Sequence, residues 1–450
     1  MTDRAKDLPC TECRLVLIDA QSMKILTTAS TAGPSLPRET IPAYTRVAET
    51  LTKSIEERYG IPTIQLALLS GTEGQSYCAV HELIGRREAV SGTLAFTALD
   101  DVVSNEFAGE ERAIVLKIMK CEAKELGRFA RLGWIDELLA KTSVYRGQAS
   151  MPALRQLNQS MDFCLLSLTE SSGHKMWFKA VGEPNKREYA LTVELTRRFP
   201  ANLPKLLAII PEWNGWVMEN VEGVPLNESS SIEPCEQALT VLAVMQKEVA
   251  SYTASLSSIG AKDWTCARIA SLSEPFFREA RRAMQEQTST RSKPLSESEL
   301  YRLERDIHSA LNELMNGGIP ETLVHADIGH GNVIATPEGP VFLDWAETAI
   351  GHPFLSAEYL LADLARSNST LAAAVPTLRS HYAALWKTHA RQGDLDTVTL
   401  LSPAVAAFAY AVFAWDENRN WPDSSLVWPH LRSLLRRTKR ELEQASEFIS

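Results

Sequence analysis

The chain has no apolar run long enough to span a bilayer. Its longest one, residues 404–415, is short for a membrane helix and reads as a buried one. The first residues are polar and charged, so no secretory signal is expected. There are only seven cysteines, at 10, 13, 78, 121, 164, 235 and 266. An odd count without framework spacing implies reduced thiols and a cytoplasmic protein. Cys10-x-x-Cys13 has no second ligand pair nearby, so zinc is not expected. Basic charge is in deficit: net charge is −10 and the isoelectric point is near 5.5. That argues against nucleic acid as a partner and is compatible with a cationic small molecule. Internal repeats, low-complexity tracts and a Walker-type phosphate loop are all missing.

What is present is concentrated in one segment. Val324-His325-Ala326-Asp327 is followed by Asn332, five residues after the Asp. A Pro/Gly turn at 336–340 leads to an apolar strand ending in Asp344-Trp345. Phosphoryl transfer from a nucleotide needs this set. One carboxylate accepts the proton of the attacking hydroxyl, and an amide oxygen and a second carboxylate hold Mg²⁺ on the phosphates. Asp327 fits the first role, Asn332 and Asp344 the second. Two buried strands joined by a polar loop would be the plain structural alternative. His-x-Asp with Asn at this spacing arises by chance in about 2 per cent of chains this long.

This pattern resembles the aminoglycoside phosphotransferase and choline kinase group, which is similar in fold to protein kinases. Protein kinases place Arg after the His and Phe-Gly after the metal Asp. Here those positions hold Ala326 and Trp345-Ala346. The missing Arg removes the usual partner of a phosphorylated activation loop and favours a small-molecule acceptor. The resemblance implies an α+β, bilobal kinase-like fold, with a small β-rich lobe at 151–222 and a helical lobe at 223–450. It also implies ATP and Mg²⁺ as cofactors, with GTP as the alternative nucleotide.

The β-rich lobe should hold the nucleotide. Two strands, 162–168 and 175–180, flank a turn, and Lys179 ends the second. A lysine here pairs the phosphates and a helix Glu; a solvated strand-end lysine is the alternative. Glu188 is the favoured partner and Glu194 the other candidate. Gly215 to Gly223 resembles the hinge between lobes, with Met218, Glu219, Asn220 and Val221 as adenine contacts. An edge strand and turn would read alike, but the position between Lys179 and Asp327 favours the hinge. No Gly-x-Gly-x-x-Gly precedes the Lys strand; Ser160, in 157–161, is the candidate phosphate contact there.

Residues 1–125 form something separate. A hairpin, Leu36-Pro37, a helix from about Tyr44 to Tyr59 capped by Gly60, and strands at 63–69 and 76–84 resemble a Nudix hydrolase domain. Aligned on Gly60, the positions of that family's box hold Glu39, Thr45, Lys53, Ser54, Glu57 and Arg58. Only Glu57 remains of the metal carboxylates, which implies a degenerate Nudix-like α/β domain without hydrolysis. Residues 126–150 read as a docked helical linker with a boundary at 146–150.

After the hinge, helices are expected at 233–250, 263–287, 298–316, 356–366, 371–391 and 397–416. Ser296 and Glu299 form a capping box and Gly317-Gly318 a stop. Asp416, Glu417, Trp421, Trp428, Glu347 and Glu358 are candidates to line an acceptor pocket, against the reading that they are core tryptophans and surface carboxylates. The combined expectation is a phosphotransferase moving the ATP γ-phosphate to a small hydroxyl compound, aminoglycoside-type first. Lys179 and Glu188 serve the phosphates, and His325 orients the loop that carries Asp327. The alternatives are a metabolite kinase of choline, homoserine, sugar or ketosamine type, and a non-catalytic nucleotide-binding scaffold. Oligomeric state is not legible.

Overall fold

The computed structural model describes residues 10–70, 76–85, 94–145, 150–329, 331–420 and 424–449. The chain forms two compact units: residues 1–189 with 205–220, and residues 190–204 with 221–450.

The first unit holds two sheets. The longer one has seven strands around Cys10–Asp19. That strand pairs antiparallel with Lys24–Ser30, through Leu17 opposite Leu26, and parallel with Ser76–Leu83. Its core is the run Leu15-Val16-Leu17-Ile18, all fully buried. A strand covered on both faces reads as a continuous apolar run. Leu15 and Leu17 meet Leu51, Ile55 and Tyr59 of the helix Val47–Tyr59. Val16 and Ile18 point to the other face. The helix starts three residues later than the sequence suggests and stops at Gly60, which takes φ 71° and donates to Glu56 O. That left-handed cap is the reason for a glycine there.

The second sheet is five antiparallel strands in the order Leu206–Ile210, Gly215–Glu219, Lys175–Ala180, Phe163–Thr169, Ala153–Ser160. Met176, Phe178 and Ala180 alternate with Trp177 and Lys179, which puts the two sets on opposite faces. The Phe178 face packs on Phe129, Trp134, Leu138 and Leu139, and the same cluster continues into Val16, Ile18, Ile64 and Leu66 of the first sheet. Residues on both sides of position 125 therefore share one core. The helix Trp134–Thr142 is docked in it, as the linker composition suggests.

The edges of the two sheets are joined by glutamines. Gln65 N–H donates to Gln156 Oε1 (2.8 Å), and Gln156 Nε2 donates back to Gln65 O (3.1 Å). Gln65 Nε2 donates to Gln159 Oε1 (3.0 Å), and Gln159 Nε2 to Leu66 O (2.8 Å). Both edge strands shift register at these glutamines. Side-chain amides thus occupy backbone groups that a bulge leaves unpaired.

The second unit is mainly helical, with two small three-stranded sheets. Its main helices are Glu233–Val249, Cys266–Gln285, Glu297–Asn316, Phe354–Ser367, Val375–Ala384, Gln392–Asn418 and Trp428–Ile449. The capping box at Ser296 and Glu299 is formed. The span expected at 371–391 is shorter, because Ser369–Ala372 is a separate turn of helix. The apolar stretch 404–415 sits inside a helix of 27 residues. That helix is long and apolar enough to cross a membrane by length and composition, but 72% of its apolar window is buried inside the fold. It packs against Phe276 and Phe277 through Phe408 and forms the centre of the unit's core.

All seven cysteines are free thiols. Buried titratable groups set the pH response. His352 is fully buried, and burial pushes its pKa from 6.5 down to about 3. A folded-state pKa below the unfolded one gives stability that is complete above about 6.5 and is lost as pH falls, because the unfolded chain takes up the proton. At pH 5 the loss from one such group is about 2 kcal/mol. His352→Gln should therefore gain relative to wild type as pH falls from 7 to 5 in thermal melts. A difference between the two proteins that is independent of pH would show that His352 is not held neutral.

Candidate active site

The loop following the strand Thr322–His325 is built from a mostly buried frame. Ala326 and Ile328 are buried, whereas Asp327 between them is exposed. Gly329 is a glycine for space: a Cβ there would lie 2.8 Å from the Asp363 carboxyl carbon. The loop returns at Asn332, whose N–H bonds Gly329 O at 3.0 Å. The hairpin Val333–Thr336 and Gly339–Phe342 follows and delivers Asp344.

Hydrogen bonds tie the two ends of this segment together. Asn332 O accepts from Leu343 N–H (2.8 Å), so the residue before Asp344 is fixed to Asn332. Leu343 O in turn accepts from His325 Nε2 at 2.8 Å. His325 is fully buried with its ring against Trp345 (centroids 4.4 Å apart). Burial, partly offset by the bond to the Leu343 carbonyl, lowers its pKa to about 4, so the imidazole is neutral at pH 7. It is too deep in the fold to meet a substrate and serves as a strut.

Asn332 turns its amide nitrogen to Asp327, giving 2.8 Å to the backbone carbonyl and 3.2 Å to Oδ2. Its amide oxygen is left to accept a cation. Asp344 has a left-handed backbone (φ 56°, ψ 73°) and an exposed side chain. Such a conformation in a residue other than glycine costs energy and recurs at functional positions. Among the described residues no group of three or more His, Cys, Asp or Glu could hold a metal. An Asn oxygen with one carboxylate suits Mg²⁺, which keeps waters and phosphate oxygens as its remaining ligands.

In the first unit, Lys179 Nζ lies 2.5 Å from Glu188 Oε1, and both residues are buried. The ammonium also stands over the Trp216 ring at 5.9 Å. Glu194, the other candidate, instead binds Arg197 and Arg198. Met218 and Glu219 end the strand Gly215–Glu219, and the chain leaves the first unit after Asn220, at Val221. Asn220 accepts from Trp177 Nε1 (2.8 Å), and Glu219 pairs with Lys205 (2.8 Å). Ser160 ends its strand beside the turn at Met161-Asp162. That turn is held from the linker: Asp162 Oδ1 accepts from Arg128 N (3.0 Å) and Nε (2.9 Å). Gly127 lies so close to Met161 O that a Cβ would be 2.1 Å from it.

Of the expected pocket residues, Glu358 lines a cavity that includes Asp327. Asp416 pairs with Arg268 and Arg419, and Glu347 and Glu417 both bind Lys262. Trp428 stacks on Phe276 in the core. Trp421 lies outside the described residues. In residues 1–125, Glu39 accepts from Arg58 and Ser54, and Lys53 pairs with Glu57. Sequence reading missed Tyr359, Asp363, Arg366, Tyr410, His430 and Arg437 of the cavity wall. Tyr359, Asp363 and Arg366 share one face of the helix Phe354–Ser367, but Tyr410, His430 and Arg437 come from two other helices, and no short spacing links the three groups.

The family model described as "Phosphotransferase enzyme family" matches residues 183–401, the stretch that carries Glu188, Asp327, Asn332 and Asp344. That stretch is similar to this phosphotransferase family. Solved structures similar to the chain include a Plasmodium vivax ethanolamine kinase (12% identity, 76% of this chain and 94% of that one, TM-score 0.45). They also include choline kinase from Cryptosporidium parvum Iowa II (10%, 70% and 95%, 0.46). A third is an aminoglycoside phosphotransferase from Alicyclobacillus acidocaldarius (14%, 68% and 95%, 0.42). No curated protein matches the chain. The phosphotransferase-family match leaves residues 1–182 outside it. The architecture is mixed α+β, β-rich first and helical after.

Breaking a buried ion pair on one side leaves a charge without compensation, whereas an exposed pair contributes little. Glu188→Gln should therefore cost about 3 kcal/mol of stability. Glu194→Gln should cost less than about 1 kcal/mol. Denaturant unfolding followed by tryptophan fluorescence measures both. Equal effects would show that the Lys179 pair is not held as described.

Proposed function

We propose that this chain transfers the γ-phosphate of ATP to a hydroxyl group of a small molecule. The observation that carries the reading is the placement of Asp327. It is an exposed carboxylate in a buried frame, oriented by the Asn332 side-chain amide, and the Asn332 backbone carbonyl is tied through Leu343 N–H to the residue before Asp344. Asp327 accepts the proton of the acceptor hydroxyl. The hydroxyl oxygen of the acceptor then forms a bond to the γ-phosphorus as the bond to the β-phosphate bridging oxygen breaks, and ADP leaves. Asn332 and Asp344 would hold Mg²⁺, which neutralises charge on the phosphate oxygens. Lys179, kept in place by Glu188, would pair with the phosphates, and Ser160 is the candidate for a further phosphate contact. Met218 to Val221 offer backbone groups to the nucleotide base; GTP is the competing nucleotide. His325 positions the loop and does no chemistry.

The acceptor classes to separate are aminoglycosides and the smaller metabolites of choline, homoserine, sugar or ketosamine type. A substrate panel read by ADP release distinguishes them. Asp327→Asn should lower kcat by about a thousandfold or more, with Mg-ATP affinity within about threefold of wild type. Turnover at the wild-type rate in that variant would sink the role of Asp327. Asp344→Ala should weaken Mg²⁺-dependent ATP binding by about tenfold or more in calorimetry. Unchanged binding would remove Asp344 from the metal site.

A further inference from the structure

One cavity of about 310 Å³ lies wholly within the helical unit and has Asp327 in its wall. Much of its surface is apolar, from Ala362, Ala406, Ala407 and Leu434. Its polar groups differ in how far they are already engaged. Glu358 is buried and gives both oxygens to Arg379 (2.6 and 2.9 Å). Asp363 accepts from Arg366 at 2.6 Å. Two of the three carboxylates that line the cavity are thus neutralised by arginine before any ligand arrives.

Two other groups are not so satisfied. The Tyr359 hydroxyl is buried and has no hydrogen-bond partner among the described residues. Its ring is fixed edge-on to Trp264 and to Tyr410, with centroids 6.3 and 5.8 Å away, so the hydroxyl cannot swing out to find one. A buried phenol donor without an acceptor is unfavourable, and in a cavity wall that signals a ligand. Arg437 Nε meets Glu441 Oε1 at 3.5 Å, one helical turn further on. That is long for a charge-assisted bond and leaves the forked guanidinium donors for a planar anion. His430 stands nearby, edge-on to Tyr410 at 5.9 Å.

We infer that the acceptor alcohol carries a carboxylate at the end remote from its reacting hydroxyl, held by Arg437 and the Tyr359 hydroxyl. The assignment rests on the phosphotransfer reading, since Asp327 fixes where the hydroxyl lies. The carboxylate accepts N–H groups from Arg437 and the O–H of Tyr359, which satisfies both. The alanine wall and the Tyr410 ring receive a hydrocarbon or aromatic spacer. A polycationic alcohol meets the reverse situation. Arg366 and Arg437 repel it, and Glu358 and Asp363, which would attract it, are already paired.

The test uses the full chain and two readouts, calorimetric binding and ADP release with Mg-ATP. The probes are 6-hydroxyhexanoate and 4-(hydroxymethyl)benzoate, each beside its primary amide, with choline and kanamycin as cations. Carboxylates should bind about tenfold or more tightly than their amides and than the cations. Arg437→Gln should erase that preference and raise KM about tenfold with kcat within about threefold. Arg437→Lys should restore part of it, and Tyr359→Phe should weaken carboxylate binding about threefold or more. Equal binding of acid and amide, tighter binding of kanamycin or choline, or no binding of either carboxylate overturns the inference. Carboxylate-selective binding that Arg437→Gln abolishes, without ADP release from any probe, keeps the pocket assignment and overturns phosphotransfer instead.

Discussion

The hydrogen bond from the buried His325 ring to the Leu343 carbonyl is the constraint on which the helical unit's chemistry depends. Leu343 also donates to Asn332, so one residue ties the start of the loop, its return and the strand carrying Asp344. His325 N–H is fixed in turn by the Ser356 hydroxyl at 2.8 Å, and its ring by Trp345. The result is a rigid scaffold with polar tips. The buried parts carry no charge, and the charged parts, Asp327 and Asp344, reach solvent. Charge is thus kept at the surface, where it escapes the cost of desolvation. The same economy explains a neutral histidine as strut. A charged imidazole at that depth would be costly, and the fold holds it well below its usual titration range.

The β-rich unit solves a different problem. Its five-stranded sheet has one face committed to Lys179 and Trp216, so its other face must be covered. The linker helix and the seven-stranded sheet cover it. Arg128 then extends the contact to the turn beside Ser160. Local sequence decides the strands, but the partner of each apolar face is decided by what else the chain brings.

That division also marks what could be read in advance. The loop at 325–332 and Asp344 were legible because their chemistry requires fixed, short spacings. Gly60, Ser296 and Glu299 were legible because caps are local. Glu188 and Glu194 lie on one helix six residues apart, and only the fold shows that Lys179 reaches the first. The cavity wall was opaque: Tyr359, Tyr410 and Arg437 are far apart in sequence and surrounded by ordinary helix composition. The helix Trp428–Ile449 went unread because Leu431, Leu435, Leu442 and Ala445 are sparse apolar positions among many charges. The shared core was hidden for a related reason. An apolar strand face reads alike whether a helix, a sheet or solvent-excluded ligand covers it.

The shared cluster bears on how such a chain persists. Removing residues 1–125 would take Val16, Ile18, Ile64 and Leu66 out of the core they share with the five-stranded sheet, each contributing about 1.5–3 kcal/mol of burial. The leading segment is therefore not a detachable module. Its inner surface is part of the core beneath the five-stranded sheet. Selection for the stability of that sheet alone is enough to preserve it.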